Sequence, residues 1–390
     1  MKKNFNDTKS GSDRYIVGEI NQFDQKNEMF KRMIWDPEIK DIGEKFYMTP
    51  VPPKTKQGYH LKDFSMINAA WHLEDHYGNG IWGGKKDLYG WDGIGEYSYP
   101  GVPRGLKIDL ENPQNVTDAV RKAGQFYGAA KVGMCKFDRR WLYSRGYTKK
   151  ERPDAGESFD IDLPEEYKYA IVLLIEMDYN AIACSPAGPA TAATGIAYSK
   201  MAFSAGLLAN FIRGLGYKAI PCGNDTACSI PMAIDAGLGE LARNGLLITP
   251  DYGPRVRICK VFTDMPLLPD RPIEFGVWDF CMICKKCAKK CPSQALSHDE
   301  PTDMPHDISN RKGVKKWHIR AKKCARFWAS QGIDCSNCIR SCPFNKPPGV
   351  LHDTVRWFIR NVRPLHRMMY WMDELFGYGR QQNPENFWEK

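Results

Sequence analysis

Eight cysteines in the C-terminal third have the types and spacing of ligands that hold iron–sulfur clusters. The first run, with the proline that follows it, reads Cys281-x2-Cys284-x2-Cys287-x3-Cys291-Pro292. This spacing is that of the bacterial ferredoxin run. The second run reads Cys335-x2-Cys338-x3-Cys342-Pro343, and ten residues separate it from its remaining cysteine, Cys324. Two such runs predict two [4Fe–4S] clusters and a protein that transfers single electrons.

The cysteines are predicted to exchange partners between the two runs, because in two-cluster ferredoxins the cysteine before the proline ligates the other cluster. Cluster A is therefore assigned Cys281, Cys284, Cys287 and Cys342. Cluster B is assigned Cys291, Cys324, Cys335 and Cys338. Zinc and disulfide bonds are the alternatives. Zinc favours two separated CxxC pairs or mixed Cys/His sets, so a three-cysteine run ending in Cys-Pro fits it poorly.

The composition is that of a globular protein of two or three domains, with 390 residues, 43% hydrophobic residues and a net charge of +9. No basic block with interleaved aromatics occurs, so nucleic acid is not an expected partner. The longest charge-poor stretch, 181–199, is rich in small residues and does not predict a membrane span. No signal peptide or twin-arginine motif opens the chain, which indicates a cytoplasmic protein or one whose leader has been removed.

Periodicity divides the chain into four parts. Residues 1–110 are predicted to be a loop-rich wrapping unit, 111–270 an α/β core, 271–348 the cluster domain and 349–390 an aromatic and basic tail that packs on the body. In the core, helices are predicted over 117–129, with Asn115 or Thr117 as N-cap, and over 194–215. Strands are predicted over 131–137, 169–177, 218–222 and 255–262.

About 300 residues outside the cysteine domain must hold the group that receives the electrons. Neither a GxGxxG fingerprint nor a P-loop occurs in the sequence. The corrinoid motif DxHxxG, which supplies a histidine ligand to cobalt, is also absent. A corrinoid in this chain would therefore have no such histidine ligand.

Several further motifs accompany the cysteines. They are Phe23-Asp24-Gln25-Lys26-Asn27 with Met29-Phe30-Lys31-Arg32, Gly223-Asn224-Asp225-Thr226, Gly245–Pro250 and Arg255-Val256-Arg257. With the displaced Cys324, these motifs resemble the respiratory corrinoid/iron–sulfur reductive dehalogenases over essentially the whole chain. The similarity is closest to dehalogenases of small chlorinated aliphatics. Precursors in that family carry a twin-arginine leader, which this sequence lacks, so the chain looks like a mature or engineered form.

The resemblance implies an α+β fold, in which a nitroreductase-like α/β core binds a base-off corrinoid and a ferredoxin-like domain with two [4Fe–4S] clusters is appended. It implies a two-electron, one-proton cleavage of a carbon–halogen bond, with a chloroalkane such as chloroform or trichloroethane favoured over a chloroethene. The residues that contact the corrinoid remain unknown. Aromatic candidates for the pocket wall are Phe46, Tyr47, Trp82, Tyr89 and Trp91.

Three residues match the catalytic positions of that family. Tyr198 is the expected proton donor, and Arg257 is the cation expected to favour its deprotonation. Asn224, in the Gly-Asn-Asp-Thr turn, is expected to orient Tyr198 or the substrate by hydrogen bonding. Alternation along a strand places Arg255 on the same face as Arg257, so Arg255 is the second choice for the cation.

The resemblance also implies partners and a location. A small membrane protein anchors the catalytic subunit to the outer face of the cytoplasmic membrane after export by a twin-arginine leader, while the upstream electron donor stays unidentified. Two other classes compete. An epoxyqueuosine-reductase-like corrinoid enzyme would need a tRNA-binding surface, and a non-catalytic electron-transfer protein would need no corrinoid.

Overall fold

The structure is a computed structural model that describes residues 9–49, 51–78, 87–92, 105–149, 156–347 and 349–389. The strands, in chain order, are β1 (Phe23–Asp24), β2 (Lys131–Lys136), β3 (Tyr143–Lys149), β4 (Gly156–Asp160), β5 (Tyr169–Glu176), β6 (Ala219–Cys222), β7 (Glu240–Leu241), β8 (Leu247–Ile248) and β9 (Val256–Thr263). The candidate wall residue Trp82 lies outside the described residues.

Fourteen helices accompany the strands within the described ranges. They are α1 (Met29–Trp35), α2 (Lys40–Gly43), α3 (Leu61–Tyr77), α4 (Pro113–Phe126), α5 (Tyr179–Ala183), α6 (Gly188–Gly214), α7 (Ser229–Asp235), α8 (Val277–Cys284), α9 (Lys286–Lys289), α10 (Ala321–Gln331), α11 (Asn337–Arg340), α12 (Val350–Asn361), α13 (His366–Leu375) and α14 (Glu385–Glu389). None of these helices is both long and apolar enough to cross a membrane.

A four-stranded sheet in the order β2-β5-β9-β6 forms the centre, and every neighbouring pair is antiparallel. Helices α4 and α6 cover one face, and α7 covers the other. Successive side chains of a strand point to opposite faces. On β9, Cys259 and Val261 therefore pack with α6, whereas Phe262 packs with the α7 side. The sheet and its two helical layers confirm the α+β fold class.

Helix α3 packs closely along α6. Small residues of α6 permit this close approach. At Gly195, a Cβ atom would lie 2.5 Å from Cδ1 of Trp71, so only glycine leaves room for that indole. Helices α3 and α6 also carry Trp71 and Tyr198, which contact each other.

The cysteine runs lie on α8, α9, α10 and α11 and the turns between them. Helices α12 and α13 pack on α8, where Phe280, Cys284, Ile359 and Met369 form one apolar cluster with Phe344. The C-terminal helices therefore lie directly beside the cysteines of the first run.

Three differences from the sequence-based predictions concern helices. Helix α4 begins at Pro113 rather than at residue 117, and its N-cap is Asn112, whose side chain accepts a hydrogen bond from the Asn115 N–H at 3.2 Å. The N-cap prediction was wrong because Pro113 already suits the first helical position. Helix α6 begins at Gly188 rather than 194, again with a proline in its first turn. The 17-residue helix α3 lies in the unit expected to be loop-rich.

Candidate active site

The structure brings together the three residues that the sequence singled out as catalytic. The Asn224 Nδ2 group donates a hydrogen bond to the Tyr198 hydroxyl at 2.8 Å. The Arg257 guanidinium lies over the Tyr198 ring, 5.2 Å from its centroid. These residues come from a helix, a turn and a strand that are distant in sequence, so the fold itself assembles the group.

Helix α6 and strand β9 fix two of these residues. Thr194 and Tyr198 are four residues apart on α6 and therefore share one face of the helix. The Arg257 guanidinium donates from NH2 to the Thr194 hydroxyl at 3.2 Å. Arg257 lies on the same face of β9 as Cys259 and Val261, which pack against α6. The arginine is therefore aimed at the tyrosine by strand alternation and held there by the threonine.

The third residue lies in a turn that is held by charged groups. The Gly223 N–H donates to Asp225 Oδ1 at 2.7 Å, and the Thr226 hydroxyl donates to Asp225 Oδ2 at 2.8 Å. From the opposite face of β9, the buried Lys260 ammonium donates to the carbonyl oxygens of Gly223 at 2.5 Å and Asp225 at 2.9 Å. Strand β9 thus positions Asn224 through Lys260 on one face and contacts Tyr198 through Arg257 on the other.

Burial changes the pKa of Tyr198 in one direction, and the neighbours Arg257 and Asn224 change it in the other. Burial raises the pKa of the Tyr198 phenol above its usual value of 10.0, and the Arg257 charge and the Asn224 hydrogen bond lower it in part. The net direction is upward, whereas the sequence-based argument considered only the lowering by the cation. Tyr198 therefore keeps its proton at neutral pH, while the two partners favour the phenolate once the proton has left.

An indole that the sequence did not single out lies against Tyr198. The Trp71 ring stacks on the Tyr198 ring with centroids 4.9 Å apart and planes inclined by 25°. Aromatic stacking of this kind restricts the rotation of the phenol. Asn224 is exposed and Tyr198 is half-buried, so the hydroxyl is accessible from one side.

Arg255, the second choice for the cation, lies elsewhere. Its guanidinium donates to Glu176 Oε1 at 2.6 Å and to Asn345 Oδ1 at 3.1 Å, and it lies over the Tyr179 ring. It also donates to the Met177 carbonyl oxygen. Arg255 precedes β9, so the alternation that applies within the strand does not direct it toward α6.

The cysteines assigned to cluster A surround a common space. A cavity is lined by Cys281, Cys284, Cys287 and Cys342, together with Arg243, Asn244, Phe280 and Phe344. Lys285 joins α8 to α9 in the left-handed conformation, with φ of 53°. That conformation breaks the helix after Cys284 and brings Cys287 back toward the same space. The grouping is the one predicted from the spacing.

The remaining four cysteines also lie together. Cys291, Cys324 and Cys338 belong to one small apolar cluster with Ala288, and Cys287 of the first run packs against the same cluster. Burial, together with the nearby Cys335 and Cys291, raises the pKa of Cys324 to about 12. The displaced cysteine thus converges with the second run.

Helix α10 explains the long gap before Cys335. Cys324 lies in its first turn, and the helix ends at Gln331. Gly332 follows with φ of 76°, and a Cβ atom there would lie 2.2 Å from Val51. Glycine therefore reverses the chain and returns it to the cluster, so the ten intervening residues are the remainder of α10 (325–331) and the turn that follows it (332–334).

Three buried cations surround the cysteines of cluster A. The Arg243 guanidinium donates twice to the Cys281 carbonyl oxygen, at 2.9 and 3.0 Å. Lys286 and Lys346 both bind Asp373 of α13, the latter at 2.6 Å, and Lys286 also binds Glu374 at 3.2 Å. Positive charge near a cluster stabilises its reduced form. Helix α13 thus holds two of these charges in place.

The Asp334 carboxyl group connects the second run to α6, the helix that carries Tyr198. Thr191 on α6 donates to Asp334 Oδ1 at 2.6 Å, and Asp334 precedes Cys335 in sequence. Burial raises the pKa of Asp334, and Arg257 lowers it. The sequence reasoning missed Asp334, Trp71 and Thr194. Only their spacing relative to Cys335 and Tyr198 could have indicated them, since none belongs to a recognisable motif.

Comparisons with known proteins agree with this geometry. Residues 280–345 match the family model described as a 4Fe-4S double cluster binding domain, which confirms the prediction of two clusters. A tetrachloroethene reductive dehalogenase of Desulfitobacterium hafniense is 39% identical over 332 residues, which cover 76% of this chain and 60% of that protein. The one of Sulfurospirillum multivorans is 35% identical over 351 residues, covering 82% and 69%.

The solved structures give a similar result. One described as a reductive dehalogenase structure that suggests a mechanism for B12-dependent dehalogenation has a TM-score of 0.71 and 25% identity, and the match covers 94% of this chain and 48% of that one. The chain thus spans about 60% of the length of the first curated relatives. The identity and coverage of the Sulfurospirillum protein confirm the resemblance seen in the sequence. The chain belongs to the reductive dehalogenase family.

Proposed function

We propose that this chain catalyses the reductive cleavage of a carbon–halogen bond, in which R–X, two electrons and one proton give R–H and halide. One observation carries the proposal. A phenol that retains its proton, held by Asn224 at 2.8 Å and by the Arg257 cation, lies in the same chain as two groups of four cysteines. The reaction needs a proton donor and a supply of single electrons, and this chain contains both.

Tyr198 donates the proton to carbon, and its O–H bond breaks as the new C–H bond forms. The phenolate that remains is stabilised by the hydrogen bond from Asn224 and by the charge of Arg257. Thr194 and Trp71 orient the arginine and the phenol, respectively. A phenol held in this way needs little reorganisation when its charge appears.

We propose a corrinoid as the second cofactor, as in the relative described as B12-dependent. Among the buried polar atoms without hydrogen-bond partners in the described part of the chain are Arg257 Nε, Ser336 Oγ, Arg340 Nε and Arg340 NH1. Ser336 and Arg340 flank Cys338, whereas Arg257 contacts Tyr198. These donors fit a cofactor whose edge carries amide oxygens, because each requires an acceptor. When bound, the corrinoid supplies the reducing metal centre and the clusters supply electrons singly.

The proposed substrate is a small chlorinated aliphatic hydrocarbon. The sequence-based preference for a chloroalkane stays a prediction, and the curated relatives are named for tetrachloroethene. Of the candidate wall residues, Phe46 and Tyr47 contact each other and pack with Phe30 on a small apolar cluster that includes Met33, Ile39 and Ile42. Membership of the dehalogenase family favours this function over the tRNA-modifying and electron-transfer alternatives.

We further propose that the chain works on the outer face of the cytoplasmic membrane, bound to a small membrane anchor protein. Large apolar side chains on α12 and α13 support a contact surface beside cluster A. Trp357 is 57% exposed, and Trp371 and Leu375 are each 60% exposed. Replacement of both tryptophans by serine should release the protein from membranes that carry the anchor. Retention of the double variant would count against this surface.

Anaerobic reconstitution with a corrinoid tests the catalytic proposal. About one cobalt and about eight irons per chain are expected. Halide release with reduced viologen is then measured on chloroform, trichloroethane and tetrachloroethene. Tyr198→Phe should abolish release, while Tyr217→Phe, a buried tyrosine just beyond the end of α6, serves as control. Iron without cobalt, or an active Tyr198→Phe variant, would overturn the proposed mechanism.

A further inference from the structure

A half-buried glutamate on α3 is near enough to Tyr198 for its charge to act on the phenol, and it has no part in the reaction described above. Glu74 follows Trp71 by one turn of α3, and Trp71 stacks on Tyr198. The Glu74 N–H donates to the Ser199 hydroxyl at 3.2 Å, and that hydroxyl donates to the Ala70 carbonyl oxygen at 2.7 Å. The backbone of Glu74 is therefore fixed against the residue next to Tyr198.

The Glu74 carboxyl group is directed inward. Its Oε2 atom is inaccessible to solvent and has no hydrogen-bond partner among the described residues. A Cβ atom at Gly78 would lie 2.8 Å from this oxygen, so the carboxyl group extends back along the end of its own helix. A carboxylate without partners is costly to bury, whereas the protonated acid is tolerated.

A second phenol lies between Glu74 and the turn that carries Asn224. Tyr89 is buried, and its hydroxyl also has no hydrogen-bond partner in the described residues. A Cβ atom at Gly223 would lie 2.9 Å from that hydroxyl, so the absence of a side chain at Gly223 makes room for it. Tyr89 is close enough to Glu74 to lower the pKa of the carboxyl group.

The electrostatics of this group favour a proton on Glu74. Burial, together with the charges of Asp225 and Asp75, raises the pKa of Glu74 to about 8. The other groups that face the pair of Glu74 and Tyr198 are Tyr89, Glu28, Asn224 and Arg257. Of these, only Arg257 is a cation, and it lies over the Tyr198 ring. At neutral pH the proton therefore resides on the carboxyl group.

We propose that Glu74 is the internal proton source that restores Tyr198 after each turnover. The inference rests on the proposed function, because it begins with a Tyr198 phenolate. In the step, the O–H bond of the Glu74 carboxyl breaks and an O–H bond forms on the Tyr198 oxygen, with Tyr89 as the hydroxyl adjacent to the path. No electrons move, and the Glu74 carboxylate, which belongs to a residue that is only half-buried, afterwards takes a proton from solvent.

A comparison of the rate of the first turnover with the rate of later turnovers tests this role. The holoenzyme is reduced and mixed rapidly with a chlorinated substrate at pH 7, and halide is followed over time. In Glu74→Gln the first turnover keeps the wild-type rate, because Tyr198 starts with its own proton. Later turnovers slow on the order of 10²-fold, the typical contribution of a positioned proton donor. The time course then shows a burst of one halide per enzyme.

Asp118→Asn is the matched control, because Asp118 is an exposed acid on α4, which also packs on α6. It should keep both phases. Equal rates of first and later turnovers in Glu74→Gln would overturn the proposal, and so would a loss of both phases. A first turnover that survives in Tyr198→Phe would instead overturn the proposed function, so the two failures are distinguishable.

An infrared spectrum gives a readout that does not depend on turnover. The wild-type protein should show a protonated carboxyl C=O band at pH 6 that disappears as the pH rises through about 8. The band should be missing in Glu74→Gln and present in Asp118→Asn. A spectrum identical in all three proteins would show that Glu74 is ionised and would overturn the proposal.

Discussion

The unusual protonation of Glu74 should make the stability of this protein depend on pH in a way that one substitution removes. Burial raises the pKa of Glu74 from 4.5 in the unfolded chain to about 8 in the folded one. Between these values the folded state holds a proton that the unfolded state has released. The free energy of unfolding therefore falls as the pH rises through this window.

The magnitude follows from the two pKa values. Their difference of about 3.5, from 4.5 to about 8, corresponds to about 5 kcal/mol when the pH exceeds both. At pH 7 the same reasoning gives about 3 kcal/mol. Glu74→Gln keeps the shape of the protonated acid and cannot ionise. The variant should therefore match the wild type at pH 4 and exceed its stability increasingly toward pH 9.

Anaerobic urea unfolding of the holoprotein, followed by tryptophan fluorescence, measures the effect. The relevant quantity is the difference between variant and wild type at each pH, because other groups titrate equally in both proteins. Asp118→Asn removes an exposed carboxylate and should show a difference that stays constant with pH. A Glu74→Gln difference that is the same at pH 5 and pH 9 would refute the reasoning.

Three further perturbations test the site. Cys324→Ser removes a ligand of cluster B only, so the iron content should fall to about half, and a full complement of iron would contradict the assignment. Lys346→Met removes one buried cation near cluster A, so the potential of that cluster, followed by redox-coupled electron paramagnetic resonance, should become more negative, whereas the exposed Lys290→Met should leave it unchanged. Lys260→Met leaves the carbonyl oxygens of Gly223 and Asp225 without their donor and should cost about 3 kcal/mol in urea unfolding. A loss below about 1 kcal/mol would show that water replaces the ammonium.

The sequence predicted those parts of the molecule whose chemistry is encoded locally. Cysteine ligands of a cluster must follow one another at short intervals, so the grouping of Cys281 to Cys287 could be read from their spacing. Strands such as β5 are buried on both faces and appear as apolar runs. The separation of Cys324 from Cys335 could be explained only with the structure, because no motif in the interval predicts a helix that ends at Gln331.

Contacts between distant segments could not be predicted in this way. Tyr198, Asn224 and Arg257 were identified by resemblance to a family, because no local pattern joins residues of a helix, a turn and a strand. Helix α3 was missed because its apolar residues do not form one clear stripe. The absence of glycine and proline from 61 to 77, with Asp63 accepting from the His60 N–H at 2.8 Å, was the available signal. Because α3 was missed, Trp71 and Glu74, which lie on it, were missed as well.

The exchange of ligands between the two cysteine runs has a consequence for assembly. Cluster A is assigned Cys342 from the second run, and cluster B is assigned Cys291 from the first; the structure places Cys342 in one cavity with Cys281, Cys284 and Cys287. With this assignment, each cluster is a cross-link between segments that are dozens of residues apart. Cluster A has three ligands in the first run and one in the second, whereas cluster B has one ligand in the first run and three in the segment from Cys324 to Cys338. Insertion of either one shortens the loop that the other must close, so the entropic cost of the second closure falls. Iron loading of this domain should consequently be cooperative, with chains carrying one cluster scarce beside chains carrying none or both.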